Sequence, residues 1–200
     1  MPLLIATRNA HKLQEIREML PGIEIVGTDR FPDVPDPEET GMTFEENAAI
    51  KALAWAAATG LPALADDSGL EVDALGGAPG IHSARYAGTH GDTAANNTKL
   101  LQELAGVAPD KRTARFVCAL ALAVPGCPVE TLRGACEGSI LETASGCGGF
   151  GYDPLFVPRG YADSFAALPD SVKASISHRA EAFKQARTCW ATQLATIATS

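Results

Sequence analysis

The sequence predicts an α/β protein built on a mixed β-sheet. Over roughly the first hundred residues, short apolar runs that read as strands alternate with helical stretches patterned on one face. Residues 115–124 and 129–137 then flank Pro125-Gly126-Cys127-Pro128 and read as two long antiparallel strands joined by a turn. Antiparallel strands beside an alternating β/α pattern imply a mixed sheet. A final amphipathic stretch closes the chain.

In order, residues 3–6 read as a buried strand and Thr7-Arg8-Asn9-Ala10 as a polar turn. Leu13, Ile16 and Leu20 then recur at helical spacing, with Lys12 in the first helical turn. Free backbone N–H groups and the positive end of the helix dipole suit such a junction to phosphate. Residues 23–26 form a second strand. Residues 29–40, rich in proline and acid, read as a loop within one domain. Thr43-Phe44-Glu45-Glu46 fits a capping box, with the Thr43 hydroxyl on the Glu46 N–H and the Glu46 carboxylate returning to Thr43. The helix it opens would carry Phe44, Ala48, Ile50, Leu53, Ala54 and Ala57 inward, with Gly60 just past its end and Lys51 in its middle. Residues 61–65 are a short apolar strand. Asp92 can cap a helix running through Leu104, and residues 155–157 supply another strand. Ala180, Phe183, Ala186, Trp190, Leu194 and Ile197 trace one face of a long C-terminal helix with Ser177 as N-cap.

Two hundred residues, 46% hydrophobic and 20% charged, suit a single globular domain with a sizeable core. No run of about 18 apolar residues exists to span a bilayer, and the N-terminus lacks a basic flank and reads as mature structure. A net charge of −8 argues against binding nucleic acid through the overall field; a small anionic ligand would need a locally basic pocket. The five cysteines include no CxxC and no zinc-like spacing with histidine, which favours free thiols in a reducing cytoplasm.

The chemistry concentrates in three places. Asp66 and Asp67 end the 61–65 strand and are followed at once by Ser68-Gly69; carboxylates there can hold a divalent cation against a phosphorylated ligand, although Asp-Asp-Ser-Gly is also ordinary turn chemistry. Gly146-Cys147-Gly148-Gly149-Phe150-Gly151 satisfies G-x-G-x-x-G, but Tyr152-Asp153-Pro154 and a strand follow where a dinucleotide site needs a helix. Such a loop lets backbone approach a flat ligand while an aromatic ring stacks on it and a carboxylate accepts hydrogen bonds. His178 and Arg179 begin the last helix, where a cation opposes the dipole and a carbonyl-rich or anionic ligand would offset the cost.

Together these residues resemble the inosine triphosphate pyrophosphatases, also described as dITP/XTP or non-standard purine nucleotide pyrophosphatases, in their bacterial branch. The resemblance rests on Thr7-Arg8-Asn9-Ala10-His11-Lys12 for a T-x-N-x-x-K motif, Glu38-Glu39-Thr40-Gly41 with Thr43-Phe44 and Asn47, and Ala65-Asp66-Asp67-Ser68-Gly69-Leu70. It continues through Gly76-Gly77-Ala78-Pro79-Gly80, Ser83-Ala84-Arg85-Tyr86, the stretch 148–154 and Ser177-His178-Arg179. The matches keep the family's order over nearly the whole chain. Arg8 departs from it, since many relatives have glycine there; its side chain would either crowd the phosphate loop or add a phosphate contact.

The resemblance implies an elongated mixed sheet flanked by helices in two lobes, a nucleotide cleft between them, and a cytoplasmic homodimer acting on small-molecule purine nucleotides. It implies hydrolysis of ITP, dITP or XTP to the monophosphate and pyrophosphate, cleaning the nucleotide pool, with Mg²⁺ as cofactor. On that reading Asp67 is metal ligand and general base, and Glu38 or Glu39 is the second metal carboxylate. Lys12 with the Thr7–Asn9 turn, Lys51 and Lys173 hold phosphate oxygens; Arg8, Ala10 and His11 of the same motif count among the substrate-binding residues; and Ser68 contacts substrate near Asp67. Phe150 stacks on the purine within the loop that includes Gly151 and Tyr152, and Asp153, His178 and Arg179 read its edge. Two rivals remain. A haloacid-dehalogenase-like phosphatase would need D-x-D-G-T, which Asp66-Asp67-Ser68-Gly69 does not meet; a purine nucleotide sensor would bind without turnover.

Overall fold

The structure, a computed structural model, describes residues 1–199. Among the described residues, six strands form one sheet in the order β2-β1-β3-β4-β5-β6: β1 Leu3–Ile5, β2 Ile25–Gly27, β3 Ala63–Val72, β4 Thr113–Ala123, β5 Glu130–Ile140 and β6 Phe156–Pro158. β1 pairs in parallel with β2 (Leu3 opposite Ile25) and with β3 (Leu4 opposite Ala63), whereas β5 and β6 are antiparallel, with Ile140 opposite Phe156. The Ile140 N–H donates to the Arg112 carbonyl, joining the end of β5 to the start of β4, and the tight turn between them carries a Cys127-to-Val124 hydrogen bond. That arrangement makes β4 and β5 the expected antiparallel pair. The predicted mixed sheet is present.

Among the described residues, six α-helices accompany the sheet: α1 Ala10–Met19, α2 Phe44–Thr59, α3 Thr93–Glu103, α4 Asp170–Ile176, α5 His178–Cys189 and α6 Ala191–Thr199. Local capping chemistry sets several of their starts. The Thr43 hydroxyl accepts from the Glu46 N–H, Asp92 from the Ala95 N–H and Ser177 from the Ala180 N–H. The Glu46 carboxylate returns not to Thr43 but to the Met42 N–H, one residue earlier. Among the described residues, no helix is long and apolar enough to cross a membrane.

Three further expectations need correction. α2 buries Phe44, Ala48, Ala52 and Trp55, while Leu53 and Ala57 are exposed and Ile50 is only half-buried. The bulk of Trp55, 1% exposed, sets which face turns inward. The C-terminal helix is two, divided at Trp190, although Trp190 keeps its N–H on Ala186 and its carbonyl on Leu194. Finally, Asp66-Asp67-Ser68-Gly69 is not a turn after a strand. β3 runs straight through it for ten residues.

The chain divides into two compact units, residues 1–67, 118–134 and 182–200, and residues 68–117 and 135–181. The core of the first packs Leu3, Ile5, Ile16 and Leu64 with Leu120, Phe183 and Trp190. The second has its own core of Leu70, Leu100, Phe116, Tyr152, Phe156 and Phe165. There the buried Arg112 donates to the carbonyls of Leu104, at the C-cap of α3, of Val107 just beyond it, and of Leu141 just past β5.

Candidate active site

In the first unit, the β1–α1 junction is organised by its own side chains. The Thr7 hydroxyl accepts from the Asn9 N–H, and Asn9 Oδ1 caps α1 by accepting from the N–H groups of His11 and Lys12. A cavity of about 450 Å³ adjoins this turn, lined by Thr7, Arg8, Asn9, Ala10, Leu13, Thr28, Asp29 and Pro32. Arg8 turns its guanidinium to Asp36 at 2.6 Å, with both side chains at least half exposed. His11 is exposed, and Lys12 reaches across to Asp66 Oδ1 at 2.6 Å.

Lys51 comes from the middle of α2 and spends its ammonium on three acceptors: Asp67 Oδ1 at 2.8 Å, Glu39 Oε1 at 3.1 Å and the Asp66 carbonyl at 3.1 Å. Two carboxylates thus converge on one cation. Glu38 is exposed, so this geometry singles out Glu39 from the acidic pair. The Glu39 loop is pinned by Asn47, whose buried side chain accepts from the Gly41 N–H at 2.8 Å; a Cβ on Gly41 would lie 2.7 Å from that same oxygen. Burial pushes the Asp67 carboxyl above its ordinary pKa, and Lys51 and Lys12 pull the other way without cancelling it. Burial draws the Lys51 ammonium down, but Asp67 and then Glu39 outweigh it and its pKa ends raised. The pair therefore combines a firmly charged ammonium with a carboxylate that is reluctant to ionise.

In the second unit, Lys173 lies on α4 with its ammonium 2.7 Å from Asp153 Oδ2 and 4.4 Å from the centre of the Phe150 ring. The same Asp153 oxygen accepts from the Phe150 N–H at 2.7 Å. Gly149 permits this close fold: its φ is +68°, and a Cβ there would strike the Asp153 carboxylate. The Gly151 carbonyl accepts from Asn97 at 3.1 Å. Arg179, 1% exposed, donates to the Ser68 hydroxyl at 3.1 Å, and the buried His178 ring stacks on Phe116 at 4.9 Å. Tyr152 is 5% exposed in the core and donates its phenol to the Ser83 carbonyl, so its side chain serves packing. Lys173 is thus grouped with Phe150 and Asp153.

The model of the Ham1 family matches residues 3–189. This chain belongs to the Ham1 family. It is 53% identical over 188 residues to the dITP/XTP pyrophosphatase of Desulforamulus reducens, covering 93% of this chain and 94% of that one. The protein of the same name from Streptomyces coelicolor is 50% identical over 186 residues, covering 91% and 93%. Among solved structures, the Ham1 protein of Staphylococcus aureus superposes with a TM-score of 0.88 at 37% identity, over 96% of this chain and all of that one. The nucleoside-triphosphatase, or dITP/XTP pyrophosphatase, of Mycobacterium abscessus gives 0.79 at 44% identity, over 92% and 98%.

Several residues of these clusters escape sequence reasoning. Asn97, bonded to Gly151, and Cys118, whose thiol donates to Asp66, work through tertiary partners far along the chain. Asn47 enters the sequence reading only within a motif, although a polar residue on the inward stripe of an amphipathic helix is itself a trace.

Proposed function

We propose that this Ham1-family chain hydrolyses non-standard purine nucleoside triphosphates, ITP, dITP and XTP, to the monophosphate and pyrophosphate. The observation that carries the reading is the convergence of Glu39 and Asp67 on one cation, in a chain about half identical to proteins named dITP/XTP pyrophosphatase. Mg²⁺ is the proposed cofactor. It typically takes one or two carboxylates and completes its shell with water and substrate phosphates. Glu39 and Asp67 suit that habit, and among the described residues no cluster of three or more histidine, cysteine or acidic side chains offers a closed cage. When bound, the ion neutralises triphosphate charge and polarises the reacting phosphorus.

The chain's own residues then divide the work. Lys12 and the Thr7–Asn9 turn bind phosphate oxygens at the start of α1, where N–H groups and the helix dipole favour an anion. Lys51 fixes Asp67 through Oδ1, and the other Asp67 oxygen takes the proton of the attacking water. A carboxyl with a raised pKa is better matched to that task than an ordinary one. Phe150 stacks on the purine, and Asp153, Lys173, His178 and Arg179 read its edge. A 6-keto purine presents an acceptor where adenine presents an amine donor, so fixed donors face adenine donor to donor, and buried hydrogen-bonding sites can discriminate by about 10⁴ or more. All five cysteines are free, which supports a reducing cytoplasm, and the family resemblance supports a homodimer.

The test is a panel of ITP, dITP, XTP, GTP and ATP with and without Mg²⁺, resolving monophosphate, pyrophosphate and orthophosphate. Pyrophosphate released with ITP or XTP preferred is expected. Stepwise orthophosphate would indicate a phosphatase, and binding without turnover a sensor.

A further inference from the structure

Beside the proposed base lies a second carboxylate that the reading leaves without a task. The Asp66 side chain is fully enclosed, and its two oxygens are held from different directions. Oδ1 receives the Lys12 ammonium at 2.6 Å, and Oδ2 receives the thiol of Cys118 at 3.2 Å. Cys118 is itself completely buried on β4, in an apolar run that needs only a small hydrophobic side chain at that position. A thiol fills the space of such a side chain and adds one weak donor. We infer that Cys118 is a positioning residue: its thiol sets the rotation of the Asp66 carboxylate, and through Asp66 it aims the Lys12 ammonium at the substrate phosphates.

The physical case rests on the short Lys12 contact. A charge-assisted bond at 2.6 Å depends steeply on where the carboxylate plane points. Lys12 lies on the first turn of α1, and its long stem alone does not fix its head group. Fastening the far oxygen of Asp66 fixes the near one, and so the ammonium. This inference rests on the proposed phosphate role of Lys12.

The experiment measures kcat and KM for ITP in the full chain and in Lys12→Ala, Asp66→Asn, Cys118→Ala, Cys118→Ser and the double variant Asp66→Asn/Cys118→Ala, with Tm for each. Cys118→Ala is expected to raise KM about three- to tenfold with kcat within about twofold, and Cys118→Ser, which keeps a donor, to restore KM. The double variant should be no worse than Asp66→Asn alone, because both changes cut one chain of contacts. The infrared S–H band that disappears in Cys118→Ala should move to higher frequency in Asp66→Asn, where the acceptor is weaker. A wild-type KM in Cys118→Ala, a serine variant no better than alanine, or an S–H band indifferent to Asp66→Asn would each overturn the inference. Equal losses in Tm and in both kinetic constants would make Cys118 merely structural and overturn it too. An unchanged KM in Lys12→Ala would overturn the phosphate role of Lys12, and the inference with it; a shifted S–H band would still register the thiol–carboxylate bond.

Discussion

Lys173 and Asp153, twenty residues apart in sequence, form a buried ion pair of 2.7 Å against the face of the Phe150 ring. A lysine that reads in sequence as one more phosphate ligand is thereby tied to the loop proposed to hold the base. Its replacement separates the two roles. Lys173→Met should narrow the preference for ITP over ATP and, by leaving half of a buried ion pair, destabilise the fold by about 3–5 kcal/mol. Paired kcat/KM values and denaturant unfolding check both. A selectivity unchanged beside a raised KM for both nucleotides would return Lys173 to the phosphates.

Asp67→Asn should abolish turnover while leaving Tm unchanged or slightly higher. Because burial holds the folded-state pKa of Asp67 above its unfolded value, its protonated form is the one that favours folding. That stability is fully present below the unfolded pKa and is lost as the pH rises through the folded one. An amide removes the ionisation cost at neutral pH. Correspondingly, in the metal-free protein Asp67 should hold its proton above the range of an ordinary carboxylate, and a carboxyl titration compared with that of Asp67→Asn locates it.

His178→Ala and Arg179→Ala should each lower kcat/KM for ITP by about five- to 150-fold, the effect of about 1–3 kcal/mol for a lost buried hydrogen bond. ATP should suffer less, since it makes that contact poorly. Equal proportional losses for both nucleotides would mean that the pair supports the helix or the phosphates instead.

Thiol titration should find Cys127, Cys147 and Cys189 reactive in the native protein and Cys118 and Cys136 only after unfolding. Burial, with Glu137 adding to it, pushes the Cys136 thiol up to about 11. The folded state therefore keeps that proton longer than the unfolded chain, and the associated stability is lost as the pH rises from the ordinary thiol range through about 11. Unfolding midpoints across that window, compared with Cys136→Ala, measure it.

Local signals in the sequence prove sufficient where the physics is local. Thr43, Asp92 and Ser177 cap their helices because a side-chain oxygen meets an N–H two or three residues on, wherever the rest of the chain goes. The alternation of β and α elements is legible for the same reason. The buried face of α2 is not, because Trp55 and its tertiary neighbours decide it. Neither is the course of β3, where turn-forming residues are held extended by partners from elsewhere: Lys12 and Lys51 on the two aspartates, Arg179 on Ser68. In the site, the motif resemblance names the membership. The wiring, including Lys51 spent on carboxylates and Glu39 set apart from Glu38, depends on contacts across the fold.

The uninterrupted path of β3 makes parity a property of the site. Successive residues of a strand face opposite sides, so Asp66 hands its side chain to Lys12 and Asp67, from the other side, hands its own to Lys51. Adding or deleting one residue upstream of these two within the strand would leave both aspartates and both lysines in the protein. It would nonetheless present each to the wrong cation, turning Asp67 toward the side that Asp66 now occupies. Loops absorb such changes, but this strand has no slack in which to do so, and its tolerance of insertions is set by chemistry before stability.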